Sequence, residues 1–164
     1  MIWIALYSQT GSELQTITER LGRDPDLVLT NNKQARFGLI YDHQTIEDTL
    51  MSIDDKCIIT LHGYLRILSP RVCSKHYIIN GHPGPIHLYP ELKGKDPQVR
   101  WFENRDQYDV MGAVLHEVIP EVDEGRILST FTSSYKPDNI DDVFKALKNM
   151  SFDMWCNLLR EELR

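Results

Sequence analysis

The chain has 164 residues, 41% hydrophobic and 26% charged, with a net charge of -6. That length suits one sizeable core, and a single domain over residues 1–164 is expected. The acidic balance argues against a general nucleic-acid or acidic-membrane binder, because phosphate contacts need clustered Lys and Arg. Cys57, Cys73 and Cys156 are odd in number, widely spaced and without a CxxC pair. They fit free thiols in a reducing cytoplasm better than a disulfide framework or a zinc site.

Met1–Tyr7 (MIWIALY) is continuously apolar, as in a strand covered on both faces, and too short to span a bilayer. Ser8–Gly11 breaks it, and Leu14, Ile17, Thr18 and Leu21 then recur at helical spacing until Gly22, a C-terminal stop. Asp26–Thr30 reads as a second strand, Ile46–Ile53 as a short helix and Lys56–Leu61 as another buried strand. Ser69 and Pro70 open a helical turn as N-cap and first helical residue, and Tyr77–Asn80 is a further short strand. The run from His82 to Pro97 is rich in proline and glycine and predicts no helix; Asn104–Asp109 is weakly helical. Gly112–Ile119 and Arg126–Tyr135 read as strands joined by PEVDEG. Ile140–Leu163 is a long amphipathic helix with Val143, Phe144, Leu147, Met150, Met154, Trp155, Leu158 and Leu159 on one face. Strands alternating with helices predict an α/β sheet, parallel at first and with an antiparallel pair near the end.

In such sheets ligands bind beyond the carboxyl ends of the strands, which directs attention to four segments. Thr10-Gly11-Ser12-Glu13 spells a capping box but also a turn able to present backbone N–H groups to an anion, and capping has slightly better odds. The six histidines show no HxH or HExxH spacing, so no metal site is predicted. His116, alone in a strand, reads as a hydrogen-bonded core residue. His82 differs: it follows a strand end between Gly81 and Pro83, and the proline restricts it to extended conformations. From composition alone PEVDEG is a solvated turn, and Leu61–Pro70 (LHGYLRILSP) is either core packing or an apolar slot with a polar edge.

Gly11-Ser12, then GYLRILS from Gly63 to Ser69, then Asn80-Gly81-His82-Pro83, then Asp123-Glu124-Gly125 resemble, in this order, the folate-dependent formyltransferases, especially those acting on glycinamide ribonucleotide. The resemblance spans roughly the whole chain. It implies a Rossmann-like formyltransferase fold, mainly parallel with an antiparallel portion near the C-terminal half and helices on both faces. It also implies a cytoplasmic enzyme of one-carbon metabolism and purine biosynthesis that moves a formyl group from 10-formyltetrahydrofolate to a small-molecule amine, with no metal and no membrane. Asn80, His82 and Asp123 would be catalytic. Tyr64, Arg66, Ile67, Leu68, Val118, Ile119 and Val122 would line the folate slot, and Gly11, Ser12, Glu13 and Pro83 would face the acceptor.

The departures from the family lie on the acceptor side. Glu13 stands where the third turn residue is Asn, and His62 precedes Gly63 where a small residue is usual. Ser151-Phe152 replaces a Glu-His pair, and the loop carries Lys93 and Lys95, two candidate contacts for an anionic acceptor. The alternatives are a formyltetrahydrofolate hydrolase and a folate- or nucleotide-binding module without turnover.

Overall fold

The computed structural model describes residues 1–164. In chain order it forms β1 (Ile2–Tyr7), α1 (Ser12–Leu21), β2 (Leu27–Thr30), β3 (Leu39–Ile40), α2 (His43–Ser52), β4 (Cys57–Leu61) and α3 (Pro70–Lys75). Then come β5 (Tyr77–His82), α4 (Pro97–Glu103), β6 (Met111–Glu117), β7 (Ile127–Ser133) and α5 (Ile140–Glu162). All seven strands join one sheet in the order β3-β2-β1-β4-β5-β6-β7, parallel from β3 to β5 and antiparallel from β5 to β7. This is the expected Rossmann-like α/β fold.

Strand residues alternate between faces, and β1 and β4 are apolar at every position but Thr60 because helices cover both faces. Trp3, Ala5, Tyr7, Ile58 and Ile79 pack toward α1 and α5. Ile4, Leu6, Ile59, Leu61 and Ile78 pack toward α2 and α3. Seven buried side chains, Trp155 and Leu159 among them, hold α5 to the first of these faces, each contributing about 1.5–3 kcal/mol. No helix is long and apolar enough to cross a membrane.

The structure departs from the predicted elements in ways that matter for the site. β5 runs two residues further than its apolar stretch, so His82 is a strand residue; pairing with β6, His82 opposite Val114, carries the strand through Gly81. A helix, α4, begins at Pro97, inside the segment expected to be irregular. The proline presets the first helical φ, and buried Trp101, whose indole N–H donates to the Val110 carbonyl at 2.9 Å, anchors it. The weak helix expected at Asn104–Asp109 is only a 3-10 turn over Arg105–Gln107. α2 starts three residues early, at His43, because Asp42 caps it by accepting the Thr45 N–H at 2.7 Å. Ser69 stands at the N-cap of α3, but its hydroxyl is buried without a partner. β3, two exposed residues, has no sequence pattern of its own and exists by pairing with Leu29 and Thr30.

The strand order changes direction at β1, whose neighbours β2 and β4 follow it on opposite sides. A crevice opens there beyond the strand ends, as this topology requires.

Candidate active site

Asn80 and His82 are two residues apart on β5 and so share the face of the sheet that Ile78 occupies further back. Antiparallel pairing sets His116 of β6 directly opposite Asn80. The segment after β6 then returns Asp123 to the same place, so one strand end, its neighbour and one turn gather four polar side chains.

His82 is buried, and both its ring nitrogens face acceptors. Nε2 lies 2.9 Å from the Leu92 carbonyl and Nδ1 lies 3.5 Å from Asp123 Oδ2. The imidazole is thereby fixed in orientation between a carbonyl and a carboxylate. The Asp123 side chain is only 10% exposed, the exception in a turn whose Glu121, Val122 and Glu124 are exposed as composition predicts. The bond with His82, helped by the Gly94 N–H at 2.9 Å, outweighs burial and holds the Asp123 carboxyl at about 2. Asp123 adopts a left-handed backbone with φ 58, a conformation that costs energy in a residue other than glycine.

The Leu92 carbonyl is itself held. Arg100 of α4 donates to the carbonyls of Glu91, Leu92, Lys93 and Lys95 at 2.6–3.1 Å, pinning the segment that orients His82. Arg100→Ala is expected to speed amide exchange at Gly94 and its neighbours at least tenfold, about 1.4 kcal/mol of lost local stability, while α5 is unchanged. Unchanged exchange at Gly94 would remove Arg100 from this role.

Gly125 closes the turn. A Cβ there would lie 1.6 Å from the Glu117 carbonyl oxygen, so only glycine allows the strand to turn back this tightly. Gly125→Ala should cost about 3 kcal/mol by chemical denaturation, the upper range for overpacking; a cost under about 0.5 kcal/mol would contradict the geometry.

His116 was expected to be an ordinary core histidine, and it is buried. It nevertheless faces the site: Nδ1 lies 3.0 Å from the Glu117 carbonyl, whereas Nε2 has no partner and lies 3.7 Å from Asp123 Oδ1. Burial pushes its pKa down, so the neutral ring keeps an Nε2 lone pair beside the carboxylate. The pairing of β6 with β5, which places it opposite Asn80, was the missing information.

Two clefts meet at Asn80 and Leu61, which line both. One, about 220 Å³, contains all seven residues assigned to the folate slot, Tyr64, Arg66, Ile67, Leu68, Val118, Ile119 and Val122, together with His116 and Asp123. Leu65, Ile67 and Val122 are exposed at its mouth. The Tyr64 hydroxyl lies 2.7 Å from His43 Nδ1, and burial pushes its pKa up to about 12. Buried Glu47 accepts the Ser69 N–H at 2.6 Å and fixes the far end of the Gly63–Ser69 segment. Eight of its fourteen lining residues are hydrophobic, a lining that suits a flat heterocycle.

The other cleft, about 350 Å³, lies toward α1 and α5 and includes Gln9, Glu13, His82, Pro83, Lys148 and Ser151 in its walls. Gly11 and Ser12 are not in its lining. Gly11 sits at φ 72 beneath the Phe37 ring, which a Cβ would strike at 2.5 Å. The capping box does not form: Gly11 is the N-cap residue, with no side-chain cap. Thr10 Oγ1 bonds to Ser12, and Glu13 turns away to His62. Of the two loop lysines, Lys93 pairs with Glu124 at 3.0 Å and neither lines the cleft. Ser151 reaches the cleft, while Phe152 packs under Arg20.

The sheet order and the paired clefts at its carboxyl edge define a Rossmann-like ligand-binding architecture. Among solved structures it is the formyltransferase fold. Phosphoribosylglycinamide formyltransferase from Campylobacter jejuni superposes with a TM-score of 0.82 at 21% identity, over 99% of this chain and 98% of that one. Glycinamide ribonucleotide transformylase 1 from Symbiobacterium toebii gives 0.79 at 22% identity, over 98% and 86%. A formyltetrahydrofolate deformylase from Pseudomonas syringae gives 0.78 at 18% identity, over 98% and 60%. No family model and no curated protein matches the chain by sequence.

Proposed function

We propose that this protein transfers a formyl group from 10-formyltetrahydrofolate to the amine of a small molecule. The carrying observation is the position of Asn80 in the wall shared by two clefts, with His82 and Asp123 beside it. The apolar cleft takes the folate and the polar one the acceptor, so the formyl carbon lies between them. Attack by the amine makes that carbon tetrahedral, its oxygen negative and its nitrogen positive. The Asn80 amide donates to the oxygen, as preorganised donors do in acyl transfer. The His82 imidazolium adds positive charge from the other side, and Asp123 keeps it charged and relays the amine's proton to N10 of the folate as the bond from N10 to the formyl carbon breaks and tetrahydrofolate leaves.

A cleft of about 350 Å³ beside Asn80 favours an amine over water as the attacking group. The protein should therefore consume 10-formyltetrahydrofolate only when a suitable amine is present, in a panel including glycinamide ribonucleotide, amino sugars and aminoacyl-tRNA. Formate released at full rate without any amine would make it a hydrolase. Tight folate binding with no turnover across the panel would make it a binding module.

A further inference from the structure

The carboxylate of Glu13 is held by a buried relay that the formyl-transfer chemistry does not use. Glu13 Oε1 lies 2.9 Å from Nδ1 of His62, whose side chain has no exposed surface. On the other side of that ring, Nε2 lies 2.8 Å from Thr60 Oγ1, and Thr60 Oγ1 accepts the Trp3 indole N–H at 2.8 Å. The Glu13 carboxylate can only accept, so Nδ1 carries the hydrogen between them, while the Thr60 hydroxyl takes the indole hydrogen and also faces Nε2. The chain of contacts from Trp3 to Thr60 to His62 ends on one carboxylate. The Trp155 ring packs on His62 at 4.7 Å and closes it off from behind.

Three buried polar groups thus fix a side chain that is itself 35% exposed and stands in the wall of the acceptor cleft. Helix capping does not explain it, since Glu13 makes no cap bond. Only Oε1 is engaged, which leaves Oε2 for a ligand.

The charge of the cleft says what that ligand is. Glu13 and Lys148 offset each other in its wall, and the charge proposed on His82 is offset by Asp123. The positive end of α1, about half an elementary charge, is outweighed by the full negative charge of Glu13 in its first turn. A phosphate monoester, with about −1.5 to −2 charges, would be set against a fixed carboxylate.

We propose that Glu13, positioned by His62, selects the acceptor: an unphosphorylated, hydroxyl-bearing amine that donates a hydrogen bond to Oε2. This deepens the formyl-transfer reading and rests on it for the identity of the cleft. The test is direct binding to the full chain, by calorimetry, of glycinamide riboside and glycinamide ribonucleotide, which differ only by the phosphate. The riboside should bind at least tenfold more tightly. Glu13→Gln should weaken riboside binding about tenfold and narrow the gap between the two. His62→Asn should act in the same direction without changing affinity for the folate donor. Equal or tighter binding of the ribonucleotide, no effect of Glu13→Gln, or no binding of either compound at millimolar concentration would each overturn the proposal. Its failure and that of formyl transfer are separable. Donor consumption with some other amine, but no riboside binding, removes only the selection by Glu13. Riboside binding without donor consumption removes only the transfer chemistry.

Discussion

Asn80→Ala is expected to lower kcat about 10²–10³-fold, the usual cost of removing one oxyanion donor, while affinity for the folate donor changes less than threefold. The split follows from the geometry. Asn80 lines both clefts but is one of fourteen residues around the folate slot, whose apolar side chains carry the binding. The amide matters where the formyl oxygen becomes negative, so its loss falls on the transition state rather than on ground-state binding. The side chain is half-buried at a strand end, and the truncation should leave the thermal midpoint within a few degrees. A kcat within threefold of the parent enzyme would show that the oxyanion forms elsewhere.

The second large effect belongs to Asp123→Asn. The substitution keeps the size of the side chain and removes the charge 3.5 Å from His82, so the carboxylate proposed to relay the proton is lost and kcat should fall about 10²–10⁴-fold. Stability should change in a defined acid window. The folded-state pKa of Asp123 is about 2, below its ordinary 3.8, so the carboxylate contributes stability that is fully present above about pH 4. That stability is lost as pH falls through 3.8 toward 2. The parent protein should therefore lose stability more steeply over that interval than Asp123→Asn does, as read by denaturant titrations at successive pH values. Parallel acid profiles would mean that His82 and Asp123 are not coupled in solution.

The sheet was largely legible in the sequence because its central strands are buried on both faces and read as unbroken apolar runs. The long last helix was legible for a related reason: a single stripe of large side chains recurs over its whole length. What remained hidden depended on contacts between distant segments. His82 belongs to β5 only because β6 pairs with it. α4 is held by one buried tryptophan and is too short for its periodicity to stand out. The two-residue β3 has no pattern to find.

The site divides in the same way. The residues proposed for the folate slot come from two short contiguous segments, which a linear pattern can hold, and all seven lie in one cleft. The proposed acceptor side draws its lining from α1, α4, α5, β6 and the ends of β4 and β5, segments far apart in the chain. Thr10 and Glu13 have the spacing of a capping box. His62, forty-nine residues away in sequence, offers Glu13 a partner 2.9 Å away that no local pattern can anticipate. His116 was judged by its strand alone, and its importance comes from standing opposite Asn80.

The most direct test of the central claim follows the formyl carbon. The protein is given 10-formyltetrahydrofolate labelled with carbon-13 at the formyl group, together with the amine panel, and the label is traced by NMR. The account predicts that the label leaves the folate only with a suitable amine and appears as a formamide carbon in amounts matching the tetrahydrofolate produced. Label recovered as free formate whichever amine is present, or retained on a bound folate with every amine tried, would contradict it.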